Sequence, residues 1–149
     1  MQKSKSLKTI HKLERELLTP VMYYLRRIGC HEVVSELRFF DRGIDVYGVK
    51  QSRPKRTYAV ELKLSNWQRA LQQAAVYQLG ADYSFVALPI RVALTLDLET
   101  FKKCGVGVLM VRPDGTVGAL LEASRSSETR SHYVRAMALL AERESDYAQ

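Results

Sequence analysis

Apolar residues recur along this chain first at helical spacing and then at strand spacing. Leu13, Leu17, Val21, Tyr24, Leu25 and Ile28 share one face of a 3.6-residue repeat, which predicts a helix over roughly residues 7–28. Pro20 inside that repeat signals a kink or break, and Gly29 supplies a stop. Residues 33–40 and 44–49 are short runs rich in β-branched and aromatic side chains, with the turn signal Asp41-Arg42-Gly43 between them. A third strand is predicted over 58–64, where Val60, Leu62 and Leu64 alternate with Ala59, Glu61 and Lys63. Ser65 or Asn66 can cap a helix running to Leu79, with Trp67, Ala70, Leu71 and Ala74 as its buried stripe and Gly80 as its end. An apolar strand over 83–88 closes at Pro89, and a short helix is expected within 94–104. Strands over 106–111 and 116–121 flank Pro113-Asp114-Gly115, a hairpin signal, and residues 131–143 read as a last helix. The order is that of an α/β domain with a mixed central sheet flanked by helices.

Composition narrows the classes. At 149 residues, 46% hydrophobic and 26% charged, the chain suits one globular domain with a real core and does not suit a disordered or fibrous one. No apolar run approaches the ~20 residues that span a bilayer, so no membrane partner is expected. The basic stretch over residues 1–12 lacks the apolar segment and cleavage site of a secretory signal, and Cys30 and Cys104 form no Cys-x-x-Cys spacing. A reduced, cytoplasmic protein is the expectation. With 23 Lys+Arg against 16 Asp+Glu the net charge is +7, which admits polyanionic partners, nucleic acid before membrane.

Three residues gather the candidate chemistry. Glu61 and Lys63 stand two apart on the third strand and so face one side. Asp45 lies between Ile44 and Val46 on the second strand. An antiparallel hairpin turning near Arg53 sets Asp45 directly across from Glu61, about 5 Å away at the Cβ atoms. Two carboxylates that close repel, so one takes up a proton unless a cation neutralises them. Mg²⁺ suits such a pair, because it favours one or two carboxylates together with water and phosphate oxygens. A metal so held lowers the pKa of bound water and offsets charge building on a phosphodiester. Lys63 then either orients or deprotonates the attacking water or stabilises the transition state.

Asp45, a basic loop, and Glu61-Leu62-Lys63 followed by a helix resemble the PD-(D/E)XK nuclease superfamily, which includes restriction endonucleases and Holliday-junction resolvases. The resemblance spans about residues 10–90 and extends to Ser35-Glu36-Leu37, Arg42-Gly43-Ile44-Asp45, the run Trp67 to Ala74, and Ala81 to Pro89. It departs from the family where Ile44 replaces the proline expected before the aspartate. It implies a restriction-endonuclease-like αβββαβ core, completed by a C-terminal hairpin and helix over about 91–149, all in one domain. It also implies Asp45, Glu61 and the Leu62 carbonyl as ligands of Mg²⁺ or Mn²⁺, with Lys63 as the catalytic lysine. An acid from the first helix or strand often joins such sites, here Glu16 or Glu36, and some members add a Gln-x-x-x-Tyr, here Gln73 and Tyr77. DNA is the implied partner. A homodimer is one way for so small a core to meet two strands.

Each of these residues also has a plainer role. Glu61 and Lys63 can form an ion pair on a solvated strand face, worth little energetically, and Asp45 can simply pair with Lys63. Glu36 can pair with Arg38 or Arg42, Tyr77 can extend the core, and Trp67 reads as a packing anchor. The loop from Lys50 to Arg56 carries Lys50, Arg53, Lys55 and Arg56. With Arg42 and Arg69 these are the candidates for contact with phosphates near the active site, supplying affinity without base choice. His11, His31 and His132 have no ligand spacing. The resulting expectation is a metal-dependent DNA endonuclease; the alternatives are a catalytically inactive nuclease-fold module that binds nucleic acid, or a structural protein with a basic surface.

Overall fold

A computed structural model of the chain describes residues 13–127, 137–138 and 140–143. The first helix is shorter than its apolar repeat suggests. A 3₁₀ turn, Glu14–Leu17, leads into α1, Leu18–Arg27. Pro20 explains the division: it stands in the first turn of α1, where a missing N–H has no intrahelical bond to lose. Residues 7–12 of the expected helix lie outside the described residues.

The strands are β1, Cys30–Phe39; β2, Arg42–Lys50; β3, Arg56–Leu62; β4, Tyr83–Pro89; β5, Gly107–Val111; and β6, Val117–Leu121. Helix α2, Trp67–Tyr77, joins β3 to β4, and Trp67 meets Phe101 at 5.5 Å between rings, as a packing anchor should. The helix expected within 94–104 is confined to α4, Leu98–Cys104, and a single turn that the residue pattern does not announce, α3, Ile90–Ala93, follows Pro89. Of the last expected helix, residues 137–138 and 140–143 are helical, and the rest lies outside the described residues. No helix among the described residues is long and apolar enough to cross a membrane.

The six strands form one mixed sheet in the order β1-β2-β3-β4-β5-β6. β1–β2, β2–β3 and β5–β6 pair antiparallel, while β3–β4 and β4–β5 pair parallel. Strict alternation sorts the side chains into two layers. Val60, Leu62, Phe85, Ala87 and Leu109 face α1, burying Leu17, Val21 and Leu25. Their neighbours Ala59, Val86, Leu88 and Val108 face α2, α4 and the helical residues near 138. The chain therefore makes an α/β/α sandwich whose β3 is covered on both sides.

The alternation fails in the middle of the β1–β2 pair. Val34 and Leu37 share a face although they are three apart, and so do Ile44 and Tyr47. The β1–β2 ladder pairs Ser35 with Val46 and Leu37 with Ile44, passing over Glu36 and Asp45, and Glu36 adopts a φ of 53°. A side-chain-bearing residue in that left-handed region costs energy, and such strain concentrates at functional sites.

Gly107, the first residue of β5, is the tightest backbone approach in the sheet. A Cβ there would stand 2.6 Å from the Ala123 nitrogen and 2.6 Å from the Phe85 ring. Gly107→Ala is expected to cost about 1–3 kcal/mol in urea unfolding, because the clash is with backbone that cannot swing away.

Candidate active site

The ladder between β2 and β3 pairs Val46 with Val60, Tyr47 with Ala59 and Val49 with Thr57. One step further in that register lie Asp45 and Glu61, as the hairpin arithmetic of the sequence requires, and there the ladder stops. The Leu62 N–H donates instead to Asp45 Oδ2 at 2.8 Å. A side chain thus takes the place of a backbone acceptor, and β2 and β3 part at the carboxylate pair.

Glu61 is buried, 7% exposed, and Tyr77 Oη donates to its Oε1 at 2.6 Å while also lying 3.2 Å from the Gly43 carbonyl. Asp45 and Glu61 are close enough to share a hydrogen bond. Burial pushes the Glu61 carboxyl up to about 7, with the Asp45 charge adding to the rise and the Tyr77 donor and Lys63 charge opposing it. Burial also raises Asp45, against the opposing pull of the Leu62 N–H. Burial and the neighbouring carboxyl thus favour the protonated form at this pair.

Lys63 lies just past the end of β3, which closes at Leu62 rather than running to residue 64, though its N–H still donates to the Ala87 carbonyl at 3.0 Å. Its Nζ stands 3.8 Å from Glu14 Oε2, and its charge draws down both carboxyls. Beside Asp45 lies a cleft of about 230 Å³ lined by Glu14, Arg15, Leu18, Ser35, Glu36, Asp45 and Leu62.

Some of the expected residues meet here and others do not. Asp45, Glu61, Lys63 and the Leu62 backbone converge, and Glu36 borders the same cleft. Glu16 does not: its Oε1 accepts the Leu13 N–H within its own turn, and the first helix contributes Glu14 instead. Glu14 was detectable in principle, since it continues the buried Leu17–Val21–Leu25 spacing where an apolar residue belongs, whereas Glu16 falls off it. Tyr77 reaches Glu61. Gln73, one turn earlier on α2, buries its Oε1 with no hydrogen-bond partner among the described residues.

The basic loop is placed differently from the expectation. Lys50, Arg53, Lys55 and Arg56 turn the hairpin at the far end of β2 and β3, about 16 Å along the strands from Asp45 and Glu61. A strand's length separates them because the register that opposes Asp45 and Glu61 puts the turn at the other end. Lys55 is engaged with Glu142 at 3.2 Å, and the Arg56 guanidinium donates to the Lys55 carbonyl at 3.4 Å. Arg42, exposed at the start of β2, is near enough to act on Tyr77; Arg69 is exposed on α2.

Among the described residues no group of three or more His, Cys, Asp or Glu side chains is arranged to hold a metal. Two carboxylates and a carbonyl are a smaller set, one that fits a hard ion retaining several waters, as Mg²⁺ does. The raised Glu61 carboxyl is a feature that a cation beside it would resolve.

No protein-family model matches the chain, and no curated protein resembles it. Among solved structures it is similar to SPO1766, a protein of unknown function from Silicibacter pomeroyi, with a TM-score of 0.71 at 15% identity over 93% of this chain and 90% of that one. That likeness shows a shared fold.

The protonated pair sets a pH dependence. Below the ordinary carboxylate range both folded and unfolded chains bind the proton; between there and about 7 only the folded chain does, so this contribution to stability is lost as pH rises through about 7. Melting followed between about pH 5 and pH 8 is expected to show a decline on the order of 2–3 kcal/mol from this site, absent in Glu61→Gln. Tyr77→Phe removes the donor that favours the carboxylate and is expected to move the decline to higher pH.

Proposed function

We propose that the chain is a metal-dependent endonuclease that hydrolyses DNA phosphodiester bonds, built on a restriction-endonuclease-like core of the PD-(D/E)XK type. The observation that carries this reading is the convergence of two buried carboxyls, Asp45 held by the Leu62 N–H and Glu61 held by Tyr77, with the Lys63 charge acting on both. The helix, three strands, helix and strand from α1 to β4 support it, as does the position at the C-terminal ends of the parallel strands β3 and β4, where α/β sheets commonly bind ligands.

In this reading Asp45, Glu61 and the Leu62 carbonyl hold a divalent ion, Mg²⁺ or Mn²⁺. When bound, it would activate water and offset charge on the phosphate. The protein's own groups do the rest. Tyr77 fixes the Glu61 carboxylate by its short hydrogen bond, and the Leu62 N–H fixes Asp45. Lys63 orients the attacking water or stabilises the charge that develops as the new P–O bond forms and the ester P–O bond breaks. The leaving oxygen takes up a proton, so hydrolysis ends with one phosphomonoester and one hydroxyl.

Purified protein with Mg²⁺ on single-stranded, duplex, flapped and branched DNA tests the proposal. Cleavage is expected, with Asp45→Ala and Lys63→Ala each lowering the rate by at least about 100-fold. Activity surviving both substitutions removes this site from consideration. Calorimetry supplies a second check: Mn²⁺ or Mg²⁺ uptake should disappear in Glu61→Ala. DNA binding indifferent to metal and to that substitution, with no cleavage, would instead identify a non-catalytic nucleic-acid-binding module.

A further inference from the structure

At the opposite pole of the sheet, where β4 and β5 begin, lies a second and larger cleft of about 350 Å³. Its lining includes Lys102, Lys103 and Arg125 together with Ser124 and Ser127, and no acidic side chain. We propose that this cleft is a binding site for a phosphate group, separate from the carboxylate site and independent of the nuclease reading.

Arg125 carries the argument. Its Nε faces Oδ1 of Asp82 at 3.6 Å. Asp82 is only 4% exposed, and its Oδ2 accepts the Thr57 N–H at 2.9 Å and the Thr57 hydroxyl at 3.2 Å. A buried, doubly anchored carboxylate thus stands within ion-pair reach of one side of the guanidinium. The two terminal nitrogens make no hydrogen bond or ion pair among the described residues, and the side chain as a whole is 56% exposed. An oriented guanidinium fork is the geometry that matches a phosphate by paired hydrogen bonds. Lys103 has no ion-pair partner among the described residues, and Lys102 has only the exposed Glu99 at 3.8 Å, a contact of little strength.

The frame around these cations is fixed from below. Gln78 Nε2 donates to the Cys104 carbonyl at 2.8 Å, the Ser124 N–H donates to the Gly105 carbonyl at 3.1 Å, and the Ser126 N–H donates to the Asp82 carbonyl at 2.7 Å. Ser124 and Ser127 keep hydroxyls that no described residue engages. Three cations with two hydroxyls, whose acidic neighbours among the described residues are the buried Asp82 and the exposed Glu99, make a site suited to a multiply charged oxyanion. Two sources carry that chemistry: a small phosphate compound, or the backbone of a nucleic acid that also passes over Lys50, Arg53 and Arg56 at the same pole.

Cys104 provides the readout. It is exposed in this cleft, whereas Cys30 is buried, so a neutral maleimide reports on the cleft alone. Labelling of the full chain is measured without divalent metal, at ionic strength held constant with chloride, against inorganic phosphate and against a short single-stranded oligonucleotide. A saturable, several-fold slowing is expected from at least one of them, lost in Lys102→Gln/Lys103→Gln, with Arg125→Gln losing it and Arg125→Lys restoring it in part. Protection by phosphate identifies a small-molecule site, and protection by the oligonucleotide alone identifies a backbone site. Slowing no greater than chloride produces, or slowing that persists in both the lysine and Arg125→Gln variants, overturns the proposal. Because the readout needs neither metal nor cleavage, its failure leaves the carboxylate site untouched, and the reverse holds too.

Discussion

The hydrogen bond from the Leu62 N–H to Asp45 Oδ2 is the contact on which the candidate site depends. An antiparallel pair that continued past Val46 and Val60 would keep its bonds backbone to backbone and leave Asp45 on an ordinary strand face. Because the side chain accepts the bond, β2 turns away, and Asp45, beside the cleft, is held within reach of Glu61. A bond to a charged acceptor contributes roughly 1.5–3 kcal/mol, which helps to offset the burial of a second carboxyl next to the first. Enclosure beneath α2, against Tyr77, keeps Glu61 from water and raises its carboxyl.

Strand direction distributes the charge. β3 and β4 run parallel, so their C-terminal ends define one pole, with Asp45, Glu61, Lys63 and Glu14, and their starts define the other. The far pole holds Lys50, Arg53, Lys55 and Arg56 from the hairpin, and Lys102, Lys103 and Arg125 around the second cleft. The net charge of +7 is therefore not spread evenly around the acids. A polyanion reaching both poles would be gripped at one and presented at the other, about 16 Å away along the strands, within the span of a few nucleotides.

Much of this was legible in the residues because it follows from period and register. Alternation in β3 and one turn near Arg53 suffice to oppose Asp45 and Glu61, and the same arithmetic places the basic loop far from them. Linking that loop to the site relied on charge, and charge carries no position. Other features lie beyond local pattern. The positive φ of Glu36 arises where β1 and β2 kink together, a property of the paired strands and not of a Ser-Glu-Leu tripeptide. Pro20 marked a break, but that Glu14, on the short side of it, would reach Lys63 depends on how the 3₁₀ turn docks against the sheet. Likewise Asp82 looks like a loop residue until Thr57, from a strand start 25 positions away, encloses it.

Burial separates the proposed role of Glu61 from the plainer one. A solvated strand face with a cross-strand ion pair requires Glu61 to be exposed and Lys63 to answer it. Instead Glu61 is enclosed and bound by Tyr77, and the cation nearest to it is also 3.8 Å from Glu14. An acid placed this way destabilises the folded chain at neutral pH unless something with positive charge joins it. An apolar side chain of similar size would fill the same space between β3 and α2 without that cost, and the Tyr77 hydroxyl would still have the Gly43 carbonyl. Stability alone therefore gives no reason for two carboxyls here; the cation proposed at the parted strands would supply one.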